Sequence, residues 1–456
     1  MKNAKPQLKA KIKNIPNYKN KKILILGLGL LGRGLKDAIF FAEREAKVTV
    51  TDLKTEDQLK TSVDKLKKYP NIKFSLGGHK KQDILKADLI IRNAGVPIDS
   101  EWLKFARKHK KKIDMDESLF AEYCPCPIIG ITGTRGKSTT TTLLGQILKD
   151  VWETTSRRVY IAGNLQGEAT LPLIDKVTKN DLVVLELSSW QLQGFGWKKI
   201  SPHIAVFTNI FPDHLNYYKS MRSYINDKKL IFKFQKKNDY CIINNENNYT
   251  KKIQTEIKSK MVPFFKGQVP TSWKLNVQGD HNLENIAAAL NVCKALKISK
   301  KKARKSIESF SGVEHRMEII KKINNITFVN DTTSTTPTST EAALESIDSP
   351  VVLIAGGASK SINLSPLAKT ITKNVKVVIL LEGSATDELE QKIIRNKGEN
   401  VIAGRFDNFA KAVERAYSLS LPGDTVLLSP GCASFGMFIN EFDRGDQFKK
   451  IVNQLH

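Results

Sequence analysis

Short apolar runs that end in glycine-rich or polar segments recur along this chain. The first run, Lys22–Leu26, is followed by the turn Gly27–Gly32 (GLGLLG) and by a stretch with helical spacing of apolar residues to about Ala46. The second run, Lys47–Thr51, leads to Asp52. Short apolar runs that alternate with helical stretches predict buried parallel strands joined by crossover helices. This segment is therefore predicted to be a Rossmann-like α/β domain.

Further apolar runs end in the same way, at residues 87–92, 127–129, 181–186, 204–209, 326–329, 351–355 and 425–428. In a parallel sheet the carboxyl ends of the strands share one edge, and ligands commonly bind there. A chain of 456 residues is too long for one ordinary core, so about two to four domains are expected.

The segment Gly130–Thr140 (GITGTRGKSTT) joins one of these runs to a helical stretch and is the clearest chemical signal. Its glycines allow backbone N–H groups to converge on phosphate oxygens at a helix N-terminus. Lys137 can reach the β- and γ-phosphates, and the Ser138 hydroxyl suits Mg²⁺. The segment predicts a nucleoside triphosphate site; the alternative is a glycine-rich turn that binds nothing.

The turn Gly27–Gly32, with Asp52 twenty residues after Gly32, has the pattern of a dinucleotide-binding fingerprint. On its own this pattern suggests NAD. The glycine turn and the acid predict that a diphosphate-bearing nucleotide binds, but they do not specify which one. The alternative is that the glycines merely permit close packing between helix and strand.

Polar side chains at the other strand ends add candidate ligands. Glu186 ends one run and His214 follows another, where Mg²⁺ ligands of an ATP-using domain belong. Asn282 and Asn285 share one helix face and suit the edge of a base, with helix capping as the alternative for Asn282. Lys228 has the pattern of an ordinary solvated lysine.

The composition is strongly basic, with 73 Lys and Arg against 46 Asp and Glu, a net charge of +27. The lysines are scattered, which favours a solvated surface over a nucleic-acid interface. No run of about 18 apolar residues predicts a membrane span, and the basic N-terminal stretch lacks the apolar region of a secretory signal. The five cysteines form no framework, and Cys124-Pro-Cys126 lacks zinc spacing. Cytoplasmic location with reduced thiols is expected.

Nine motifs in this order make the chain resemble the Mur ligases of peptidoglycan precursor synthesis, over nearly its whole length after about Asn20. They are the Gly27–Gly32 turn, GTRGKST, Gly163-Asn164, LELSSWQL, TNIFPDHL, HNLENIAAA, HRME, NDTT and SPGCASF. The resemblance is strongest to the branch that adds glutamate. It implies an N-terminal Rossmann-like domain for a UDP-sugar (residues 1–115), a central parallel-sheet ATPase domain (116–312) and a C-terminal Rossmann-like domain for the amino acid (313–456).

The resemblance also implies a role for each matching position. ATP would be bound by Gly133, Thr134, Arg135, Gly136, Lys137, Ser138, Thr139, Asn282, Asn285, Arg316 and Asp331. The substrates would be bound by Gly29, Leu30, Leu31, Gly32, Asp52, Gly95, Asn164, Ser188, Gln191, Thr335, Lys360, Ser434 and Phe435, the last four near glutamate. The metal ligands would be Ser138, Glu186, His214 and Lys228, and the catalytic group Lys137, Lys228, His214 and Glu186.

The implied reaction is ATP-dependent joining of glutamate to UDP-N-acetylmuramoyl-L-alanine through an acyl phosphate. ATP and two Mg²⁺ ions would be required, and Lys228, four residues after Tyr224, would be carbamylated. The implied partners are these small molecules alone, with no nucleic acid and no membrane, and the enzyme would be a monomer.

Two departures from the family pattern touch the amino-acid site. Thr333 stands where a lysine is expected after Asp331, and Glu441-Phe442 reverses the expected order of aromatic and acidic residues. D-glutamate is the expected substrate, and L-glutamate is the second candidate. Three further interpretations stay open at this point: another Mur-type or folylpolyglutamate-type ligase, an NAD-dependent oxidoreductase, and a nucleic-acid-stimulated ATPase.

Overall fold

The computed structural model describes residues 15–29, 32–165, 169–213, 215–277, 279–360 and 362–455. Contacts between residues divide the chain into two compact units, residues 1–310 and residues 311–456. The described residues form three sheets, two in the first unit and one in the second. The predicted α/β class with Rossmann-like sheets is confirmed. The separation of residues 1–115 from 116–312 stays a prediction, because the contacts divide the chain only once.

The first sheet has strand order β3-β2-β1-β4-β5, and all its pairs are parallel. Its strands are β1 (Lys22–Leu26), β2 (Lys47–Thr51), β3 (Ile72–Ser75), β4 (Leu89–Arg92) and β5 (Ile113–Asp114). The helices are α1 (Arg33–Ala42), α2 (Lys60–Leu66), α3 (Lys81–Lys86), α4 (Glu101–Lys108) and α5 (Asp116–Tyr123). The helix predicted to reach about Ala46 thus ends at Ala42.

The second sheet, with order β11-β10-β9-β6-β8-β7, is also parallel throughout. Its strands are β6 (Ile128–Thr132), β7 (Val159–Gly163), β8 (Leu182–Glu186), β9 (Ile204–Phe207), β10 (Tyr240–Asn244) and β11 (Lys260–Phe264). Its helices are α6 (Lys137–Trp152), α7 (Ser189–Lys198), α8 (Leu215–Tyr218), α9 (Met221–Lys233), α10 (Asn248–Ile253), α11 (Asp280–Ala295) and α12 (Lys300–Ser309). Strand β6 lies inside this sheet, so the loop that follows it opens at the carboxyl edge, where phosphate sites belong.

The third sheet has order β12-β13-β17-β14-β15-β16, and only the edge strand β12 is antiparallel. Its strands are β12 (Glu318–Ile323), β13 (Ile326–Asn330), β14 (Val351–Gly356), β15 (Val377–Leu381), β16 (Ile402–Phe406) and β17 (Thr425–Leu428). Its helices are α13 (Pro337–Glu345), α14 (Ser365–Asn374), α15 (Thr386–Arg395), α16 (Phe409–Ser418) and α17 (Glu441–Gln454). Short 3₁₀ helices cover Asp57–Leu59, Leu171–Asp175, Gln254–Glu256, Lys266–Gln268 and Glu399–Val401.

One apolar cluster runs through both sheets of the first unit, from Tyr18 and Phe41 to Phe195 and Ile243. Burial of this shared apolar surface is what makes residues 1–310 one compact unit. Within the described residues, no helix has the length and apolar character needed to cross a membrane. All five cysteines are buried free thiols.

Candidate active site

The phosphate loop lies between β6 and α6, and two of its glycines cannot be replaced without a clash. Gly133 has φ 155°, and a Cβ there would lie 1.9 Å from Thr208 Oγ1. Gly136 has φ 77° and caps α6, and a Cβ there would lie 2.2 Å from Asn285 Oδ1. Since Gly136 offers no side chain to the first turn of α6, the N–H groups of that turn are left for a phosphate.

Residues at the end of β9 hold the loop in shape. Asn209 accepts hydrogen bonds from the backbone N–H groups of Thr134 and Arg135, both at 2.9 Å, through its carbonyl and its side chain respectively. The Thr208 hydroxyl donates to the Arg135 carbonyl at 2.6 Å. The sequence placed Thr208 and Asn209 at a strand end without giving them a role. Their supporting role is visible only because β9 pairs with β6.

Two lysines converge on one carbonyl of this loop. Lys228 Nζ donates to the Gly133 carbonyl at 2.7 Å, and Lys137 Nζ donates to the same oxygen at 3.1 Å and to the Thr134 carbonyl at 2.9 Å. Lys228 is 2 % exposed. The interpretation of Lys228 as a solvated lysine, made from pattern alone, is therefore wrong.

Burial and a neighbouring charge decide the protonation state of Lys228. Burial, followed by the positive charge of Lys137, holds the pKa of the Lys228 amine well below its ordinary value, and the carboxylates of Asp213 and Glu186 only partly oppose this. A buried ammonium beside a second one is costly, so the neutral amine is favoured. A neutral amine is a nucleophile, which an ordinary surface lysine is not at neutral pH.

Glu186 ends β8 with its carboxylate buried. Its Oε1 accepts from Asn164 Nδ2 at 3.0 Å, while its Oε2 is buried and has no hydrogen-bond partner among the residues that the structure describes. An unpaired buried carboxylate oxygen is costly, and a hard cation would relieve that cost. With the buried hydroxyl of Ser138 in the same unit, the residues present suit Mg²⁺. His214 lies outside the described residues.

The two predicted base-side amides lie together at the start of α11. Asn285 Nδ2 donates to Asn282 Oδ1 at 3.4 Å, and Thr140 donates to Asn285 Oδ1 at 3.2 Å. The N-cap of α11 is Gly279, so helix capping does not explain Asn282. Asn285 is buried against the phosphate-loop helix, and contact with adenine stays a prediction for both residues.

Asp52 holds the first glycine turn from the end of β2. Its Oδ2 accepts from the backbone N–H groups of Leu28 at 2.8 Å and Gly29 at 3.0 Å, and its Oδ1 accepts from Lys54 N–H at 2.9 Å. The twenty-residue spacing from Gly32 thus has a structural cause in this chain. Binding of the UDP moiety stays a prediction for Gly29, Gly32, Asp52 and the exposed Gly95, and Leu30 and Leu31 lie outside the described residues.

Ser188 and Gln191 form a capping box at the start of α7, with a reciprocal pair of bonds of 3.3 and 2.8 Å. Gln191 Nε2 also donates to the buried Glu117 carboxylate. These bonds account for both residues structurally, and their contact with substrate stays a prediction.

Three carboxylates are buried together where α1 meets α5. Burial raises the pKa values of Asp37, Asp116 and Glu117, that of Asp116 to about 8, and the charge of Glu117 adds to the rise for Asp37 and Asp116. The positive charge of Arg33 opposes the rise for all three. Asp116 also accepts from the Thr170 and Leu171 N–H groups. The cluster is therefore at least partly protonated at neutral pH.

Asp116→Asn should stabilise the chain more at pH 8 than at pH 5. The folded state holds the Asp116 proton up to about pH 8, whereas the unfolded chain releases it near its ordinary pKa of 3.8. The unfolding free energy therefore falls as pH rises between these values, by at most about 1.4 kcal/mol per pH unit. Asparagine does not ionise, so it removes this fall. Melting temperatures at pH 5, 6, 7 and 8 measure the effect, with the exposed Asp99→Asn as control. A mutant-minus-wild-type difference that is constant with pH would contradict the assignment.

The second unit contains the predicted ATP residues Asp331 and Arg316. Asp331 directly follows β13 and accepts hydrogen bonds from Ser429 Oγ at 2.8 Å and from the Met317 N–H at 3.2 Å, and burial raises its pKa to about 6. Arg316 is exposed on the preceding turn. ATP contacts for Asp331 and Arg316, which belong to this unit alone, stay predictions.

The predicted amino-acid residues include one lysine, Lys360. Its Nζ donates to Thr335 Oγ1 at 2.6 Å, and desolvation lowers its pKa while the carboxylate of Glu441 opposes the shift. Ser434 is buried and its hydroxyl has no partner among the described residues, whereas Phe435 is 45 % exposed. The reversed Glu441-Phe442 order thus places a negative charge near Lys360.

Sequence reasoning missed Arg444. This side chain is fully buried, donating from Nε to Thr332 Oγ1 and from Nη2 to the Thr332 carbonyl, both at 3.0 Å. Burial lowers its pKa to about 10. Arg444 therefore fixes the segment in which Thr333 replaces the expected lysine, while the Thr333 hydroxyl donates to the His315 carbonyl at 2.9 Å. An arginine inside a helix gives no such signal in the sequence.

Among the described residues, one group of side chains has the composition of a metal site, namely Glu314, His315 and Asp446. His315 Nδ1 lies 3.1 Å from Asn330 Nδ2, which must donate, so the ring proton sits on Nε2, 3.4 Å from Asp446. Lys449 pairs with Glu314. Hydrogen bonds and ion pairs account for this group without a metal.

The described residues form three nucleotide-type α/β sheets, and the phosphate loop lies beside a buried carboxylate with one oxygen left unpaired among these residues. This combination defines an ATP-using enzyme. Family models match the chain in three segments: "Mur ligase MurD-like, N-terminal domain" at residues 21–114, "Mur ligase middle domain" at 131–267, and "Mur ligase, glutamate ligase domain" at 315–432. The chain belongs to the Mur ligase family. It is an amide-forming ligase, so the oxidoreductase and nucleic-acid-stimulated ATPase interpretations are set aside.

Curated relatives match nearly the whole chain. The UDP-N-acetylmuramoylalanine–D-glutamate ligase of Roseiflexus sp. (strain RS-1) is 39 % identical and covers 95 % of this chain and 99 % of that protein. The enzyme of the same name from Clostridium tetani is 35 % identical, covering 96 % and 97 %. The solved Thermotoga maritima MurC (18 % identity, TM-score 0.58, covering 95 % and 99 %) and MurF with ADP (17 %, 0.55, 96 % and 96 %) share the fold.

Proposed function

We propose that this chain joins D-glutamate to UDP-N-acetylmuramoyl-L-alanine at the expense of ATP, in peptidoglycan precursor synthesis. The observation that carries the proposal is the near-full-length match to D-glutamate ligases together with a phosphate loop whose lysine, glycines and supporting strand are all in place. The substrates are small molecules, and we place the enzyme in the cytoplasm as a monomer.

The reaction has two steps. The alanyl carboxylate attacks the γ-phosphorus of ATP, so that a carboxylate-oxygen–phosphorus bond forms and the bond from phosphorus to ADP breaks. The glutamate amine then attacks the carbonyl carbon of this acyl phosphate, an amide forms, inorganic phosphate leaves, and the amine gives up a proton. Both steps require stabilisation of negative charge on oxygens, which preorganised donors supply.

Lys137 and the phosphate loop supply donors for the first step. The first turn of α6 has no side-chain cap, which supports a phosphate site at its N–H groups, and Lys137 donates to two carbonyls of the same loop. When a triphosphate fills the loop, its anionic oxygens are stronger acceptors than those carbonyls, so Lys137 exchanges partners. Its positive charge then stabilises the transferring phosphoryl group.

Two Mg²⁺ ions would be held by Ser138, Glu186, His214 and carbamylated Lys228, and would neutralise charge on the phosphoryl oxygens. The buried Oε2 of Glu186 supports this assignment, because it has no other partner among the described residues.

Lys228 acquires a carboxylate by reaction with CO₂. The neutral amine forms a nitrogen–carbon bond to CO₂ and releases one proton, giving a carbamate. Its burial and the lowered pKa of its amine support this step, because only the unprotonated amine adds to CO₂. Modification replaces a cation by an anionic oxygen ligand of the kind that Mg²⁺ prefers.

Lys360, Thr335, Ser434 and Phe435 would receive glutamate. Lys360 is a cation able to meet a glutamate carboxylate, and the Ser434 hydroxyl is without a partner among the described residues. L-glutamate is the second candidate, because Thr333 stands in place of a lysine and Glu441 adds a negative charge beside Lys360.

Phosphate release with ATP, Mg²⁺ and UDP-N-acetylmuramoyl-L-alanine tests the function. D-glutamate should give a kcat/KM about 100-fold above that of L-glutamate. When the carboxylates and side chain of L-glutamate are bound, its opposite chirality moves the amine away from the acyl carbon that it must attack. A panel of other amino acids, and UDP-N-acetylmuramate without alanine as acceptor, serve as controls. Preference for L-glutamate would correct the substrate, and no release with either enantiomer would overturn the proposal.

A further inference from the structure

Arg33 is the first residue of α1 and follows the glycine turn directly. Its guanidinium reaches from the first sheet to the second sheet of the same unit. Nη1 and Nη2 each lie 3.3 Å from Asn164 Oδ1, and Nη2 donates to the Leu165 carbonyl at 3.2 Å. A forked guanidinium that grips one amide oxygen with two donors fixes the direction in which that amide points.

The other end of the Asn164 amide meets the proposed metal ligand. Asn164 Nδ2 donates to Glu186 Oε1 at 3.0 Å, and the Asn164 backbone N–H donates to the Glu186 carbonyl at 2.8 Å. With Oε1 occupied, the buried Oε2 is the carboxylate oxygen left without a partner among the described residues. The hydrogen bonds thus run from Arg33 through Asn164 to Glu186.

Three buried acids also interact with the charge of Arg33. The charge of Arg33 is felt by Asp37, one turn further along α1, and by Asp116 and Glu117 on α5. Attraction to these acids favours the position of the guanidinium that the hydrogen bonds to Asn164 and Leu165 fix.

We propose that Arg33 is a positioning residue for the metal site: it orients the Asn164 amide so that Glu186 Oε1 is capped and Glu186 Oε2 is presented to Mg²⁺. This inference rests on the proposed function. Because Arg33 directly follows the turn assigned to the UDP-sugar, two side chains, Arg33 and Asn164, join that turn to the metal ligand Glu186. Hydrogen-bonded neighbours of metal ligands typically change metal affinity by about 10–100-fold when removed.

Binding of Mn²⁺ to the full-length enzyme in the presence of ADP, measured by loss of the free Mn²⁺ EPR signal, tests this role apart from activity. Arg33→Met should weaken Mn²⁺ binding about tenfold. It should also raise, by a similar factor, the Mg²⁺ concentration needed for half-maximal phosphate release. Arg33→Lys keeps the positive charge but loses the two-donor geometry of the guanidinium, so its loss of Mn²⁺ affinity should be smaller. This variant also provides the test if Arg33→Met does not fold.

A double-mutant cycle shows whether Arg33 acts through Asn164. If it does, Asn164→Ala weakens Mn²⁺ binding in the wild-type background but adds little to Arg33→Met. If the losses of Mn²⁺ affinity were additive, Arg33 would not act on Glu186 through Asn164, and the inference would be overturned.

Arg44→Met is the matched control. Arg44 lies just beyond the end of α1, and its hydrogen bonds within the described part of the chain go to the Phe40 carbonyl and to Asp175, not to Asn164. It should leave Mn²⁺ affinity within about twofold of wild type, the range of a surface ion pair. Folded Arg33 variants that bind Mn²⁺ like Arg44→Met would refute the inference. A wild-type enzyme that binds Mn²⁺ but ligates no glutamate would instead refute the proposed function.

Discussion

Lys228→Met should reduce the rate of phosphate release about 10³-fold, near the upper end of the effect of removing one charge-stabilising group. Methionine fills the buried space on α9 but cannot react with CO₂, so the metal site loses an anionic ligand. In ¹³C-bicarbonate, the wild-type enzyme should show a carbamate resonance that the variant lacks. Since the buried amine of Lys228 is costly to the folded state, the variant should fold at least as well as wild type.

The adjacent lysine provides the control for this substitution. Lys229 Nζ donates to both carboxylate oxygens of the half-exposed Glu256, at 2.8 and 2.7 Å. Lys229→Met removes a surface ion pair worth about 1 kcal/mol or less, and activity should be unchanged. In Lys228→Ala, formate or acetate should restore part of the rate by occupying the vacated space as a carboxylate. Full activity in Lys228→Met would remove Lys228 from the mechanism.

Lys137→Met should slow acyl-phosphate formation about 10²- to 10³-fold and raise the KM for ATP. Methionine keeps most of the apolar part of the side chain but removes the charge that stabilises the transferring phosphoryl group. The loop itself should keep its shape, because Thr208 and Asn209 still hold it. Trapping the acyl phosphate with hydroxylamine in the absence of glutamate measures this first step alone.

Lys149→Met is the matched control for Lys137→Met, since Lys149 is an exposed lysine near the other end of the same helix. It should leave both kcat and KM unchanged. If Lys137→Met formed the hydroxamate at the wild-type rate, the phosphate loop would have to be assigned another role.

The local pattern of apolar and polar residues was sufficient to predict much of the fold. The strands Lys22–Leu26, Lys47–Thr51 and Thr425–Leu428 have the bounds that their apolar runs predict. The first helix was predicted four residues too long, because residues 43–46 form a turn whose N–H groups bond back to α1 and whose Ala46 is buried. The spacing of apolar residues predicts that Ala46 is buried, but it does not predict where the helix ends.

Fewer residues of the candidate site could be predicted from the sequence. Asn282 and Asn285 were paired from their spacing, and they do lie together. Lys228 could be singled out only through family resemblance, because its burial depends on the packing of α9 over the phosphate loop. Arg33, Thr208, Asn209 and Arg444 gave no local signal, since each acts on residues distant in the chain.

Residues close together in the chain are enough to specify the glycine turns, the phosphate loop and the alternation of strands and helices. Which charges are buried depends instead on segments that meet only after folding. Packing removed water from Lys228, left Glu186 Oε2 unpaired among the described residues and linked Arg33 to Asn164 across 131 positions. Desolvation and pairing of charge depend on neighbours that the fold supplies, and they set the chemistry of this site.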